Sequence, residues 1–126
     1  CLVLAVMCDG RSIDTLEGLR DDPTMAVLRK HFHESHGVQC GFCTPGMLIM
    51  ARDILARLAA PDSATVRHEL SGQVCRCTGY AGIVKAIVAA GKELAACAQS
   101  ISSARASGCS ATWEHNPEAV GGRPEG

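Results

Sequence analysis

The chain has few aromatic residues, no excess of charge of either sign, and no long apolar run. Of its 126 residues only 3% are Phe, Trp or Tyr, and 12 Lys and Arg residues nearly balance 13 Asp and Glu residues. Proteins that bind nucleic acids present a basic surface and, for single strands, aromatic side chains on which bases stack. The composition has neither feature, so nucleic acid is not expected as a partner.

The apolar run at residues 1–8 is far shorter than the roughly 20 residues that a membrane-spanning helix needs. No basic segment precedes it, as one does in a secretory signal peptide. We therefore expect no membrane span and a cytoplasmic location. The length of the chain and its 47% share of hydrophobic residues are sufficient for one compact domain with its own core.

Helix signals alternate with two cysteine-bearing loops in the middle of the chain. Asp21-Asp22-Pro23 predicts the start of a first helix and Thr44-Pro45 that of a second, with Thr44 as its cap. Ser63 is expected to cap a short third helix, and a fourth is predicted after Thr78-Gly79, where apolar residues recur at helical spacing. The predicted fold is mainly α, a four-helix bundle-like domain over residues 20–98.

Two further segments flank this helical domain. Residues 1–19 are predicted to be extended, because residues 2–6 are wholly apolar and Asp9-Gly10 is a turn signal. Two short strands alone are marginal in water, so this segment is expected to be the edge of a β-sheet whose remainder is not in the sequence. Residues 99–126 are rich in Ser, Ala, Gly and Pro, and we predict a disordered tail.

Four of the eight cysteines form two close pairs. Cys40 and Cys43 are separated by two residues, and Cys75 and Cys77 by one. Four thiolates are a common ligand set for a structural zinc ion and for an iron–sulfur cluster, because soft sulfur donors suit both. Close cysteine pairs can also form a redox disulfide.

The spacing of these pairs favours a two-iron cluster without deciding the question. The 31 residues at positions 44–74 separate the pairs by more than the short span of common zinc ribbons. Gly41, Gly46 and Gly79 add weight, since residues without Cβ let backbone N–H groups approach inorganic sulfide. A zinc-stabilised helical interaction module stays open as the alternative. A thiol–disulfide oxidoreductase is disfavoured because no βαβ pattern surrounds Cys40 and Cys43.

The full loops resemble a known family. Gln-Cys-Gly-Phe-Cys-Thr-Pro-Gly-Met at 39–47, with Cys-Arg-Cys-Thr-Gly-Tyr at 75–80, closely resembles the iron–sulfur subunit of molybdenum hydroxylases, the family of xanthine dehydrogenase, aldehyde oxidoreductase and aerobic carbon monoxide dehydrogenase. The resemblance implies a plant-type ferredoxin-like domain with one [2Fe–2S] cluster, followed by a helical domain with a second. Residues 1–19 would then be the C-terminal edge of a truncated ferredoxin-like domain.

The resemblance also implies roles for individual residues. It assigns four ligands to the [2Fe–2S] cluster of the helical domain: Cys40, Cys43, Cys75 and Cys77. Cys1 would be the last ligand of the first cluster, whose other three ligands are not in this sequence. Gln39 would hydrogen-bond the pterin of a molybdenum cofactor, and Cys77 would lie on the electron path from that pterin to iron.

Cofactors and partners follow from the same resemblance. A large subunit or domain would carry the molybdenum–pterin cofactor, and a further subunit would carry FAD. The implied reaction is oxidative hydroxylation, in which water supplies the oxygen and the clusters pass electrons singly toward the flavin or another acceptor. This chain would be the electron-transfer subunit of an oxidoreductase complex and would not oxidise substrate alone.

Overall fold

The computed structural model describes residues 3–103, with side chains described for residues 3–98. This part of the chain contains four α-helices preceded by one 3-10 turn, Ala5–Cys8. The α-helices are α1 (Pro23–Glu34), α2 (Thr44–Arg57), α3 (Ser63–Glu69) and α4 (Ala81–Ser103). The predicted mainly α architecture with four helices is confirmed.

Carboxylate caps begin two of the helices. The side chain of Asp22 accepts a hydrogen bond of 3.0 Å from the backbone N–H of Met25, with Pro23 in the first turn, as predicted for α1. Asp62 accepts in the same way from the N–H of Thr65, at 2.8 Å, and begins α3. Asp22 also receives a hydrogen bond of 2.8 Å from the Arg52 guanidinium, which links the start of α1 to α2.

Two of the predicted caps are wrong by one residue. Ser63 is the first residue of α3 instead of its cap, because the carboxylate of Asp62 already accepts from the helix start. Thr44 is likewise the first residue of α2, and Cys43 occupies the cap position without a capping hydrogen bond from its side chain. The first cysteine loop therefore runs directly into α2.

Helix α4 forms the centre of the packing, since it contacts each of the other three helices and α1 most extensively. Apolar side chains from all four helices fill one core, as the helical spacing of apolar residues predicts. The largest fully buried ones are Met25, Leu28, Met47, Ile54, Val66, Ile83 and Ile87.

The strand predicted within residues 1–19 does not form in the part of this segment that is described. Residues Ala5–Cys8 form a 3-10 turn instead, and the side chains of Val3, Leu4, Val6 and Met7 are exposed. A strand is stable only beside partner strands, and residues 3–103 contain none. At the other end α4 continues to Ser103, past the predicted start of the tail at residue 99. Residues 104–126 lie outside the described residues.

A glycine allows α4 to begin against the end of α1. A Cβ atom on Gly82 would lie 2.6 Å from the carbonyl oxygen of Ser35 and 2.9 Å from that of His36, closer than any carbon side chain can approach. Ser35 and His36 lead into the first cysteine loop, and Gly82 follows the second. The contact therefore brings both loops to the same end of the helical domain.

We expect Gly82→Ala to reduce the free energy of unfolding by about 2 kcal/mol, because the added Cβ meets backbone that cannot rotate away. The gain in helix propensity, about 1 kcal/mol, offsets only part of this strain. Gly91→Ala is the matched control, since its nearest contacts would be side chains, Leu55 at 3.0 Å and Pro61 at 3.1 Å, instead of backbone carbonyl groups. Urea unfolding followed by circular dichroism measures both. Equal effects of the two substitutions would contradict the role of Gly82.

Candidate metal centre

Four cysteine thiols from the two loops meet in two pairs. The Sγ atoms of Cys40 and Cys77 lie 3.4 Å apart. The thiols of Cys43 and Cys75 lie close enough for each to shift the pKa of the other. Each pair takes one cysteine from each loop, so residues that are 37 and 32 positions apart in sequence share one site.

The two pairs differ in exposure. Cys40 and Cys77 are exposed, whereas Cys43 is half-buried and Cys75, which is only 9% exposed, belongs to the hydrophobic core. The site therefore has an outer thiol pair, Cys40 and Cys77, and an inner thiol pair, Cys43 and Cys75.

Each pair contains one thiol with a lowered pKa and one with a raised pKa. In the inner pair, hydrogen bonds from the Thr78 hydroxyl, at 3.1 Å, and the Thr78 backbone N–H, at 3.5 Å, lower the pKa of Cys75 to about 7. Burial, followed by the contact with Cys75, raises the pKa of Cys43.

In the outer pair, the backbone N–H of Phe42 and then the contact with Cys77 lower the pKa of Cys40. The hydrogen bond with Cys40 raises the pKa of Cys77. Hydrogen bonds to a thiolate favour the charged form, which is the form that binds metals.

Tyr80, the only tyrosine of the chain, closes the second cysteine loop. Its hydroxyl accepts a hydrogen bond of 2.8 Å from the N–H of Cys75 and donates one of 3.1 Å to the carbonyl oxygen of Gln73. Its own backbone N–H donates to Thr78 Oγ1 at 3.2 Å. Sequence reasoning assigned no role to Thr78 or Tyr80. The available signal was a single tyrosine next to a glycine at the end of a cysteine loop.

The remaining predicted residues take different places. Gln39 is exposed beside Cys40. Cys1 lies outside the described residues. Gly41 and Gly79 have positive φ angles of 83° and 62°, a backbone conformation that residues with a Cβ atom rarely adopt. Gly46 instead lies within α2, where a Cβ would come within 3.1 Å of the amide oxygen of Gln73, so α2 approaches the second loop closely.

The donor set of this site fits an iron–sulfur cluster. Two thiolates on one tetrahedral metal, with bonds of about 2.3 Å, lie about 3.8 Å apart, close to the separation of the outer pair. A [2Fe–2S] cluster takes four cysteine thiolates, and two thiol pairs satisfy that requirement.

The comparisons with known proteins agree with this donor set. Residues 15–88 match the model of the [2Fe–2S] binding domain family. The chain is 46% identical over 90 residues to caffeine dehydrogenase subunit gamma of Pseudomonas sp. (strain CBB1), an alignment that covers 69% of this chain and 54% of that protein. It is 39% identical over 90 residues to the xanthine dehydrogenase iron-sulfur-binding subunit of Escherichia coli O157:H7, covering 70% and 57%.

A solved structure is also similar. The crystal structure of quinoline 2-oxidoreductase from Pseudomonas putida 86 matches with a TM-score of 0.67 and 48% sequence identity, covering 76% of this chain and 60% of that chain. The site and the fold thus define a protein that binds an iron–sulfur cluster in a helical domain. The chain belongs to the [2Fe–2S] binding domain family.

The cysteine loops indicated a resemblance to the iron–sulfur subunits of the xanthine dehydrogenase family. This resemblance is confirmed, because the relatives include a caffeine dehydrogenase subunit and a xanthine dehydrogenase iron-sulfur-binding subunit. The chain spans about half the length of the curated relatives it matches. In the described part of the chain, no helix is both long enough and apolar enough to cross a membrane.

We expect Tyr80→Phe to lower the free energy of unfolding by about 1–3 kcal/mol. The substitution keeps the ring against the core but leaves the partly buried N–H of Cys75 and carbonyl of Gln73 without their partner, and a polar group left unsatisfied in a protein costs about that much. Urea unfolding of the reduced, metal-free protein measures the loss. A loss below about 0.5 kcal/mol would show that these two hydrogen bonds do not stabilise the loop.

Proposed function

We propose that this chain is the electron-transfer iron–sulfur component of a molybdenum-containing hydroxylase or dehydrogenase. The observation that carries this proposal is the meeting of two cysteine loops in two thiol pairs, within a chain of the [2Fe–2S] binding domain family. The names of its relatives, a caffeine dehydrogenase subunit and a xanthine dehydrogenase iron-sulfur-binding subunit, support membership of an oxidoreductase complex.

In the proposed site the outer pair, Cys40 and Cys77, holds one iron, and the inner pair, Cys43 and Cys75, holds the other. The contacts within each pair support this division, because ligands of one metal must lie next to each other. The [2Fe–2S] cluster supplies a one-electron acceptor. The chain positions its four ligands, shields the inner pair from water, and donates hydrogen bonds to the sulfur atoms.

The outer pair is the side at which electrons enter in this proposal. Cys77 and Gln39 are exposed there, and the side chain of Phe42, whose backbone N–H interacts with Cys40, is 93% exposed. An exposed apolar side chain with polar residues around it is typical of a protein interface. The partner that we propose for this face is the large subunit with the molybdenum–pterin cofactor, with Gln39 hydrogen-bonding the pterin and Cys77 on the electron path.

Further partners follow from the same proposal. Electrons leave this domain toward a second [2Fe–2S] cluster, for which Cys1 is the proposed last ligand, and then toward FAD or another acceptor on a further subunit. The complex is proposed to be cytoplasmic.

Anaerobic reconstitution with iron and sulfide tests the ligand assignment. We expect this chain to give a reduced-state EPR signal, and Cys75→Ala to lose at least nine-tenths of it. Cys97→Ala is the control, because Cys97 is exposed on α4 outside both loops and its loss is expected to leave the signal intact. A colourless product with stoichiometric zinc and no EPR signal would contradict the proposal and favour the zinc-stabilised interaction module.

The proposed role of Gln39 predicts that its substitution affects electron transfer but not assembly of the cluster. Gln39→Ala is expected to keep the cluster signal but to slow cluster reduction by substrate at least tenfold in the complex with the molybdenum subunit, because a hydrogen bond at the entry point is lost. Stopped-flow absorbance measures the rate. Lys92→Ala, at an exposed position on α4, is the control. An unchanged rate in Gln39→Ala would exclude the proposed contact.

A further inference from the structure

We propose that Thr78 is a positioning residue that raises the reduction potential of the cluster, by donating a hydrogen bond from its hydroxyl to the Sγ atom of Cys75. This inference rests on the proposed function, since it requires a cluster held by Cys75. It adds a role for a residue that is not itself a ligand.

The direction of this hydrogen bond follows from its neighbours. Thr78 Oγ1 lies 3.1 Å from Cys75 Sγ and accepts a hydrogen bond of 3.2 Å from the backbone N–H of Tyr80. A threonine hydroxyl has one hydrogen to donate and two lone pairs to accept with. The Tyr80 N–H engages one lone pair and leaves the hydroxyl hydrogen available for the sulfur. A metal-bound cysteine has lost its own hydrogen, so Thr78 is then the only donor of the two.

This interaction distinguishes Cys75 from the other three thiols. The closest counterpart is Cys40, for which the leading hydrogen bond comes from the backbone N–H of Phe42. Cys43 interacts with Cys75, and Cys77 interacts with Cys40. Among the residues that shift the pKa values of the four thiols, Thr78 is the only one with a hydroxyl group that donates. Removing its hydroxyl changes no ligand, although the backbone N–H of Tyr80 then loses its acceptor. Thr78→Ser keeps both hydrogen bonds, which makes the role testable.

The hydrogen bond from Thr78 is expected to raise the reduction potential of the cluster. Reduction adds one negative charge to the cluster and its thiolates. A hydrogen bond to a ligand sulfur stabilises that added charge, and hydrogen bonds to sulfur are among the factors that set the potentials of iron–sulfur clusters. Cys75 is only 9% exposed, and an electrostatic interaction is stronger in a buried site than in water. The Thr78 hydroxyl therefore favours the reduced state.

The test compares three substitutions at one position in the anaerobically reconstituted chain. Thr78→Val has nearly the same shape as threonine but no hydroxyl donor. Thr78→Ala also lacks the donor and has a smaller side chain. Thr78→Ser keeps the hydroxyl and loses only the methyl group. An EPR-monitored redox titration gives the midpoint potential of each. We expect Val and Ala to disfavour reduction about tenfold, which is about 59 mV for a one-electron couple. Ser is expected to recover most of the difference.

The outcomes separate this inference from the proposed function. If the unsubstituted chain assembles no cluster, the proposed function fails first, and this inference fails with it. If the cluster assembles but Val and Ala leave the midpoint potential unchanged, or Ser shifts it as much as they do, the role of the hydroxyl is excluded. Loss of the cluster in both Val and Ala, with Ser intact, would make Thr78 a structural residue and would also overturn the inference.

Discussion

Gly82 packs its backbone against the carbonyl groups of Ser35 and His36, so α4 begins at the point where α1 ends. The first cysteine loop follows Ser35 and His36 in sequence, and the second cysteine loop precedes Gly82. A side chain at Gly82 would push the two helices apart, and the thiols of the two loops would separate with them. The site thus depends on a backbone contact that involves none of the cysteines.

The two thiol pairs have different surroundings, and the proposed transfer of electrons uses both. The inner pair lies against the core, with Thr78 and Tyr80 fixing the loop through side-chain and backbone hydrogen bonds. The outer pair lies at the surface beside the exposed Phe42. In the proposed function, the hydrogen-bonded inner side would limit reorganisation on electron transfer, and exposure of the outer side would allow close approach of a partner.

Local sequence signals were sufficient for the helices and the cysteine loops. Caps, first-turn prolines and apolar spacing act within a few residues, so all four helices could be predicted, although Asp62 and not Ser63 caps α3. Local sequence could not decide whether residues 1–19 form a strand, because a strand depends on hydrogen bonds to other strands of a sheet. The roles of Thr78 and Tyr80 depend on how the second loop closes in space, which spacing along the chain does not reveal.

The four thiols of the two loops are proposed to hold one [2Fe–2S] cluster. The most direct test of this proposal is the metal and sulfide content of the anaerobically reconstituted chain, combined with Mössbauer spectroscopy of ⁵⁷Fe. We expect two irons and two acid-labile sulfides per chain, with both irons in tetrahedral sulfur coordination. One zinc ion per chain without sulfide, or iron in a mononuclear site, would contradict it.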